Sequence, residues 1–224
     1  VYGHFLSREA MAKEGFSPYP QLDQIAAAAV VIDATGRRFV NEGIGGIYMS
    51  NVVARFEDPA STYTIFDHDI WEKGPGVKSV YPANPTIERA GGTVYRASSP
   101  EDLAAQIGVE PSVLRTTLEA YNTALEDGPR VAQGIPRSDH TVPAAPLNLS
   151  ALMAIPLSIG ITTTMGGIAI DANMGVKRPD GSVIPGLLAA GSSTGGIEGG
   201  GTIGYVGGLI KAAVTGLIAG ESAG

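Results

Sequence analysis

The stretch AAGSSTGGIEGGGTIGYVGGLIKAAVTGLIAG, residues 189–220, decides how this chain is read. From Ile203 onward the apolar residues Ile203, Val206, Ile210, Ala213, Val214 and Leu217 share one stripe at the helical period, which predicts a helix stopped at Gly220. Just upstream, GGIAID (166–171) and GLLAAG (186–191) read as short apolar strands flanking KRPDGS (177–182), a turn in which Pro179 and Gly181 supply the restricted and the permissive backbone. The order is strand, turn, strand, glycine-rich loop, helix. Gly199, Gly201 and Gly204 formally spell G-x-G-x-x-G, but they lie nine or more residues beyond the strand, and no second strand follows to present a ribose-binding acid. As a nucleotide fingerprint the match fails.

Outward from this segment the composition changes. Residues 155–224 hold 18 of the 31 glycines and only seven charged side chains, so the chain divides, with the boundary expected within TVPAAPLNLSALMAIP (141–156). The first region, 1–155, reads as α+β. Within AAAAVVIDATGRRFVNE (26–42), residues 28–33 and 37–40 form two β-rich runs joined through Gly36 as a hairpin, and STYTIFD (61–67) is a further strand. Ser99-Pro100-Glu101-Asp102 combines an N-cap, a proline at the first helical position and acids in the first turn, predicting a helix to about Gln106. After Pro111, Leu114, Leu118, Tyr121 and Leu125 predict another, ending near Gly128.

Composition excludes several classes of function. With 15 Lys and Arg against 22 Asp and Glu, the net charge of -7 repels a phosphate backbone, so nucleic acid is not an expected partner. Lys211 interrupts the longest apolar run, leaving no expected membrane span, and the absence of Cys fits a reducing, cytoplasmic location. His4, His68 and His140 show no ligand spacing, and the alternating side chains of Asp67-His68-Asp69 argue against a metal there. Ser192 and Ser193 follow a strand, as a hydrolase nucleophile would, but GSSTGG does not spell G-x-S-x-G. The chain opens on Val1 rather than Met, and the expectation is a piece of a longer protein.

Gly199, Gly200 and Gly201 carry no Cβ, Thr202 is a candidate cap, and the N–H groups of Ile203, Gly204 and Tyr205 would stand at the positive end of the predicted helix. A flat, electron-accepting ring laid there would become easier to reduce. Tight packing of helix on sheet explains the same glycines, and the residues alone leave both readings open.

RRFVNE (37–42), TMGGIAID (164–171) and DGSVIPGLLAAGSSTGG (180–196), followed by the glycine-rich helix, resemble the C-terminal half of FAD-dependent flavoproteins of the fumarate reductase and succinate dehydrogenase type, a superfamily that includes ketosteroid dehydrogenases. The resemblance implies an α+β substrate-capping domain over 1–155 and, over 156–224, the C-terminal strand–loop–helix segment of a Rossmann-like α/β FAD-binding domain. It implies FAD along Gly191, Ser192, Gly201, Thr202 and Ile203, and a small-molecule substrate near Thr163 and Thr164. Family members commonly carry Glu where Ser192 stands. The family's N-terminal nucleotide fingerprint has no counterpart here, so an upstream segment of the same protein is expected to hold the ADP part. The implied reaction passes hydride between a C–C bond of an organic substrate and flavin N5. Fumarate-reducing members place Arg, His and Arg about where this sequence has Gly46, Thr163 and Thr202, so a neutral or singly charged substrate is expected instead. The rival reading is a non-catalytic binding or scaffolding protein that retains the fold.

Three side chains are candidates for catalysis. Glu198 stands alone among apolar residues and glycines, suited to an acid or base unless it simply faces solvent. Tyr205 is placed to meet a substrate carbonyl or to cover the flavin. Tyr48 follows a glycine-rich stretch and is either a cavity residue or core.

Overall fold

The computed structural model describes residues 2–12, 22–76, 83–126, 130–199 and 205–224. It has two compact units, Gly3–Gly160 and Ile161–Gly224, the latter joined by the first two residues.

The Gly3–Gly160 unit carries β1 (Tyr2–Ser7), α1 (Glu9–Ala12), α2 (Asp23–Ala28), β2 (Val30–Ile32), α3 (Gly46–Val53), β3 (Tyr63–Asp67), α4 (His68–Lys73), α5 (Ala83–Arg89), β4 (Tyr95–Ala97), α6 (Pro100–Ile107), α7 (Pro111–Glu126), the small hairpin β5 (Val131–Ala132) and β6 (Ile135–Pro136), and most of β7 (Leu152–Thr163). Its sheet runs β1-β7-β3-β2, with β4 also on β7. Strands β2, β4 and β7 pair antiparallel with their neighbours, in the registers Val31↔Thr64, Ile65↔Ala154 and Tyr95↔Ala154. The two-residue strand period splits the apolar residues between two cores. Val30, Ile32, Ile65 and Ala154 pack with Leu103, Leu114, Leu118 and Tyr121 of α6 and α7. Val31, Phe66, Met153 and Ile155 pack with Ile25 of α2, Met49 and Val53 of α3, and Trp71. Helices therefore cover both faces of this sheet.

Helices α6 and α7 and strand β3 stand where the sequence puts them. The Ser99 side chain accepts from Asp102 N at 3.1 Å, and α6 ends on Gly108 in the left-handed region at φ 77°. Ser99→Ala is expected to cost about 1 kcal/mol, read as a lower urea midpoint with an unchanged slope. The hairpin differs from its expectation. Gly36 makes the turn at φ 81°, but residue 28 ends a helix and the returning arm contributes only the bridge Ile32↔Arg38. Beyond that bridge the arm does not continue as a strand, and the Arg38 guanidinium turns inward to Glu42.

The Ile161–Gly224 unit holds the antiparallel hairpin β8 (Gly175–Lys177) and β9 (Val183–Leu188), then α8 (Gly208–Ala223). The expected strand over 166–171 is an extended segment with two bridges, Ile168↔Thr194 and Ile170↔Val176. Helix α8 begins at Gly208 rather than Ile203 and passes through Gly220 to Ala223. Among the described residues no helix is long and apolar enough to cross a membrane.

Candidate functional site

In the Ile161–Gly224 unit the glycine-rich segments meet as bare backbone. Ile168 N donates to Ser193 O at 2.8 Å, and Gly195 N to Ile168 O at 3.1 Å. A Cβ on Gly167 would lie 2.5 Å from Ser193 O, and one on Gly195 would lie 2.6 Å from Gly167 N, so these two glycines serve packing. Gly166 and Gly196 differ, because among the described residues a Cβ at either meets nothing within 4 Å. Around them Ser192 is exposed and the apolar side chains of Ile168 and Ile197 are 43% and 49% exposed.

Beside this surface, helix α8 ties itself to the Gly191–Ser193 turn with its two buried polar residues. Lys211 Nζ donates to Thr194 O at 2.7 Å and to Glu198 Oε2 at 3.2 Å. One turn on, Thr215 Oγ1 donates to Lys211 O at 2.6 Å and accepts from Gly191 N at 2.8 Å. Glu198 Oε1 accepts from Val206 N at 3.0 Å, and the Tyr205 phenol oxygen accepts from Gly208 N at 2.8 Å. Side chains of the protein thus already occupy main-chain amides at the start of α8. The open amide end expected at Ile203, Gly204 and Tyr205 is not what Tyr205 shows, since it precedes the helix; Gly200, Gly201, Thr202, Ile203 and Gly204 lie outside the described residues.

Among the described residues of the Gly3–Gly160 unit, one buried charge cluster and one part-buried polar cluster stand out. In the first, Arg38 Nε and Nη2 grip Glu42 Oε1 and Oε2 at 2.9 and 2.7 Å, both side chains being fully buried. Glu42 also accepts from Val31 N at 3.1 Å, and Arg137 Nε lies 3.9 Å from its other oxygen. Burial pushes the Tyr121 phenol up, against the pull of Arg137, and Arg38 sits 5.5 Å over the Tyr121 ring. In the second, Asp23 at the start of α2 bonds His4 Nδ1 at 2.5 Å through one oxygen and accepts from Phe5 N at 2.8 Å through the other. A Cβ on Gly46 would overlap Asp23 Oδ1, Cβ and Cγ. Tyr48, two residues on in α3, is half-buried against the core cluster.

A sequence profile described as the FAD binding domain matches residues 2–204. The chain belongs to the FAD-binding flavoproteins of the fumarate reductase and succinate dehydrogenase superfamily. FAD is the cofactor that this membership brings. The FAD-binding chain is 33% identical over 196 residues to an NADH:acrylate oxidoreductase of Vibrio harveyi, covering 87% of this chain and 18% of that protein. It is 31% identical over 176 residues to an NADH:fumarate oxidoreductase of Klebsiella pneumoniae, covering 79% of this chain and again 18% of the relative. It therefore spans less than a fifth of the length of these curated relatives. In fold it is similar to a 3-ketosteroid delta1-dehydrogenase from Sterolibacterium denitrificans, with a TM-score of 0.71 at 20% identity over 99% of this chain and 43% of that one.

Of the expected site residues, the Ile161–Gly224 unit brings Gly191, Ser192, Glu198 and Tyr205 around the foot of α8, with Thr163 half-buried and Thr164 exposed after β7. Tyr48 belongs to the other unit. Sequence reading missed Lys211 and Thr215. Their signal was present, as two polar residues four apart in the otherwise apolar stretch 208–220 of the helix, a spacing that puts both on one face. Asp67 and Asp69 prove structural: Asp67 caps α4 by accepting from Ile70 N, and Asp69 is drawn below the usual carboxylate range by its bond to Lys73.

Proposed function

We propose that this chain is the substrate-capping region and the C-terminal part of the FAD-binding domain of an FAD-dependent oxidoreductase acting on a C–C bond of a neutral or singly charged organic substrate. The observation that carries the reading is the bare surface at Gly166 and Gly196 inside a segment matched by the FAD-binding profile. Backbone without Cβ atoms, the exposed Ser192 and the apolar Ile168 and Ile197 fit a flat ring with a hydroxylated side chain. When bound, FAD supplies the hydride acceptor or donor at N5. The protein's part is to hold and orient. Gly191, whose N–H is fixed by Thr215, and Ser192 line the ribityl side, and Gly201, Thr202 and Ile203, outside the described residues, are assigned to the same cofactor by the resemblance alone. Thr163 and Thr164 meet the substrate, and Tyr205 is the candidate proton donor on this unit. Glu198 acts by position, since both its oxygens are engaged. Tyr48 is the candidate contributed by α3.

The substrate class follows from charge. The place where the resemblance calls for the first fumarate-binding Arg is Gly46, and Asp23 already fills the space its side chain would need. With uncharged Thr163 and Thr202 at the other two places, little remains to offset the desolvation of two carboxylates.

Gly166→Leu tests the cofactor surface. Among the described residues its Cβ meets no atom within 4 Å, so the unfolding midpoint of the FAD-free protein should stay within the ~0.5 kcal/mol typical of surface changes. FAD retention, read from the visible spectrum after gel filtration, should fall at least about tenfold, the size of 1.4 kcal/mol. Wild-type retention in this variant would remove the flavin from this surface. Intact protein that shows no flavin bands and takes up no added FAD would defeat the reading as a whole. Turnover with artificial electron acceptors separates an enzyme from a scaffold.

A further inference from the structure

Helix α8 buries a lysine where its sequence is otherwise apolar. Lys211 is 7% exposed, and the side chain of its partner Glu198 is 2% exposed. A buried ion pair is seldom a gain in stability over apolar residues of the same volume, because two desolvation costs oppose one attraction. What it adds is direction. Lys211 joins α8 to Thr194 O and to Glu198, while Glu198 in turn holds Val206 N, eight residues away in the chain. The pair therefore fixes both ends of the glycine-rich stretch to the helix, and its charges cancel.

We propose that Lys211 and Glu198 form a charge-balanced latch that positions the glycine-rich cofactor loop while leaving no net charge beside the flavin. The proposal rests on the FAD reading above. Both residues act through the loop rather than on reacting atoms. Removing either one frees the loop and leaves a single buried charge near the cofactor, whereas removing both frees the loop but restores neutrality.

The test uses the intact protein as wild type, Lys211→Met, Glu198→Gln, the double variant and Lys211→Arg. FAD affinity is read by flavin fluorescence titration and the flavin midpoint potential by dye equilibration. Each single variant should weaken FAD binding by about tenfold or more, as for a broken buried pair, and Lys211→Arg should recover most of it. The potentials carry the signature. Lys211→Met leaves a carboxylate and lowers the potential, Glu198→Gln leaves an ammonium and raises it, and the double variant returns close to wild type. Should Lys211→Met fail to fold, the near-isosteric Glu198→Gln still gives the upward shift. Potentials that stay fixed, or that move in the same direction in both single variants, overturn the latch while leaving FAD binding intact. Wild-type protein that takes up no FAD overturns the function and the latch with it.

Discussion

Glu42→Ala is expected to remove about 3–5 kcal/mol of stability, the cost of leaving buried charges without their partner. Two guanidinium groups converge on this one carboxylate, Arg38 in a two-point grip at 2.9 and 2.7 Å and Arg137 at 3.9 Å, and all three side chains are at most 1% exposed. Arg38 also donates to Val40 O, Ile135 O and Pro136 O, and Arg137 to Ala27 O and Ser138 O, so one carboxylate organises the hairpin, the end of α2 and the β5–β6 region together. Against a whole-domain stability of about 5–15 kcal/mol, such a loss leaves a large unfolded fraction. The measurement is a urea titration followed by tryptophan fluorescence, Trp71 being buried in the same unit. Lys73→Ala, at an exposed pair on α4, is the control and should leave the midpoint unmoved. A Glu42→Ala midpoint equal to that of the control would mean that the cluster contributes specificity alone.

The sequence showed the motif containing this cluster but not the cluster itself. In RRFVNE the spacing of Arg38 and Glu42 is visible, yet their third partner, Arg137, lies far along the chain in an irregular stretch that no periodicity marks. Helices α6 and α7 were legible because their caps and stripes are local, with Ser99, Pro100 and Gly108 each acting within a turn of the helix end. Helix α2 was not, because its three alanines and Ala29 run straight into Val30 and Val31 and read as the start of a strand. Its only polar start signal, Asp23, turns its oxygens to Phe5 N and His4 instead of capping the helix. Helix α8 teaches a different lesson. Its stripe was real, but Leu209, Ile210, Val214 and Leu217 are the exposed residues, while Lys211 and Thr215 face inward. Periodicity tells which side chains share a face, and burial of that face depends on what packs against it.

Gly46→Arg, which would restore the cation that the fumarate-reducing pattern calls for, is expected to fail at folding before it can bear on substrate choice. The obstacle is the first atom of any side chain, since a Cβ at 46 overlaps Asp23 Oδ1, Cβ and Cγ. One of those atoms, Asp23 Cβ, is fixed by the α2 backbone, so a rotamer change of Asp23 moves Cγ and Oδ1 aside but cannot clear the Cβ overlap. Relief requires α2 and α3 to separate, at the expense of the bonds from Asp23 to Phe5 N and His4. Even Gly46→Ala should therefore cost at least the ~1–3 kcal/mol of an overpacked core. Asp23→Gly provides the discriminating second site. Alone it destabilises by removing both bonds, but combined with Gly46→Ala it takes away the three atoms nearest the new Cβ, so the double variant should melt above Gly46→Ala. Thermal midpoints of the four proteins decide the matter. A Gly46→Ala protein as stable as wild type would show that α2 and α3 give way easily here, and would reopen dicarboxylates as substrates. The expected sign reversal would tie the absence of a side chain at 46 to Asp23, making the contact between the two helix starts the reason that only glycine fits there.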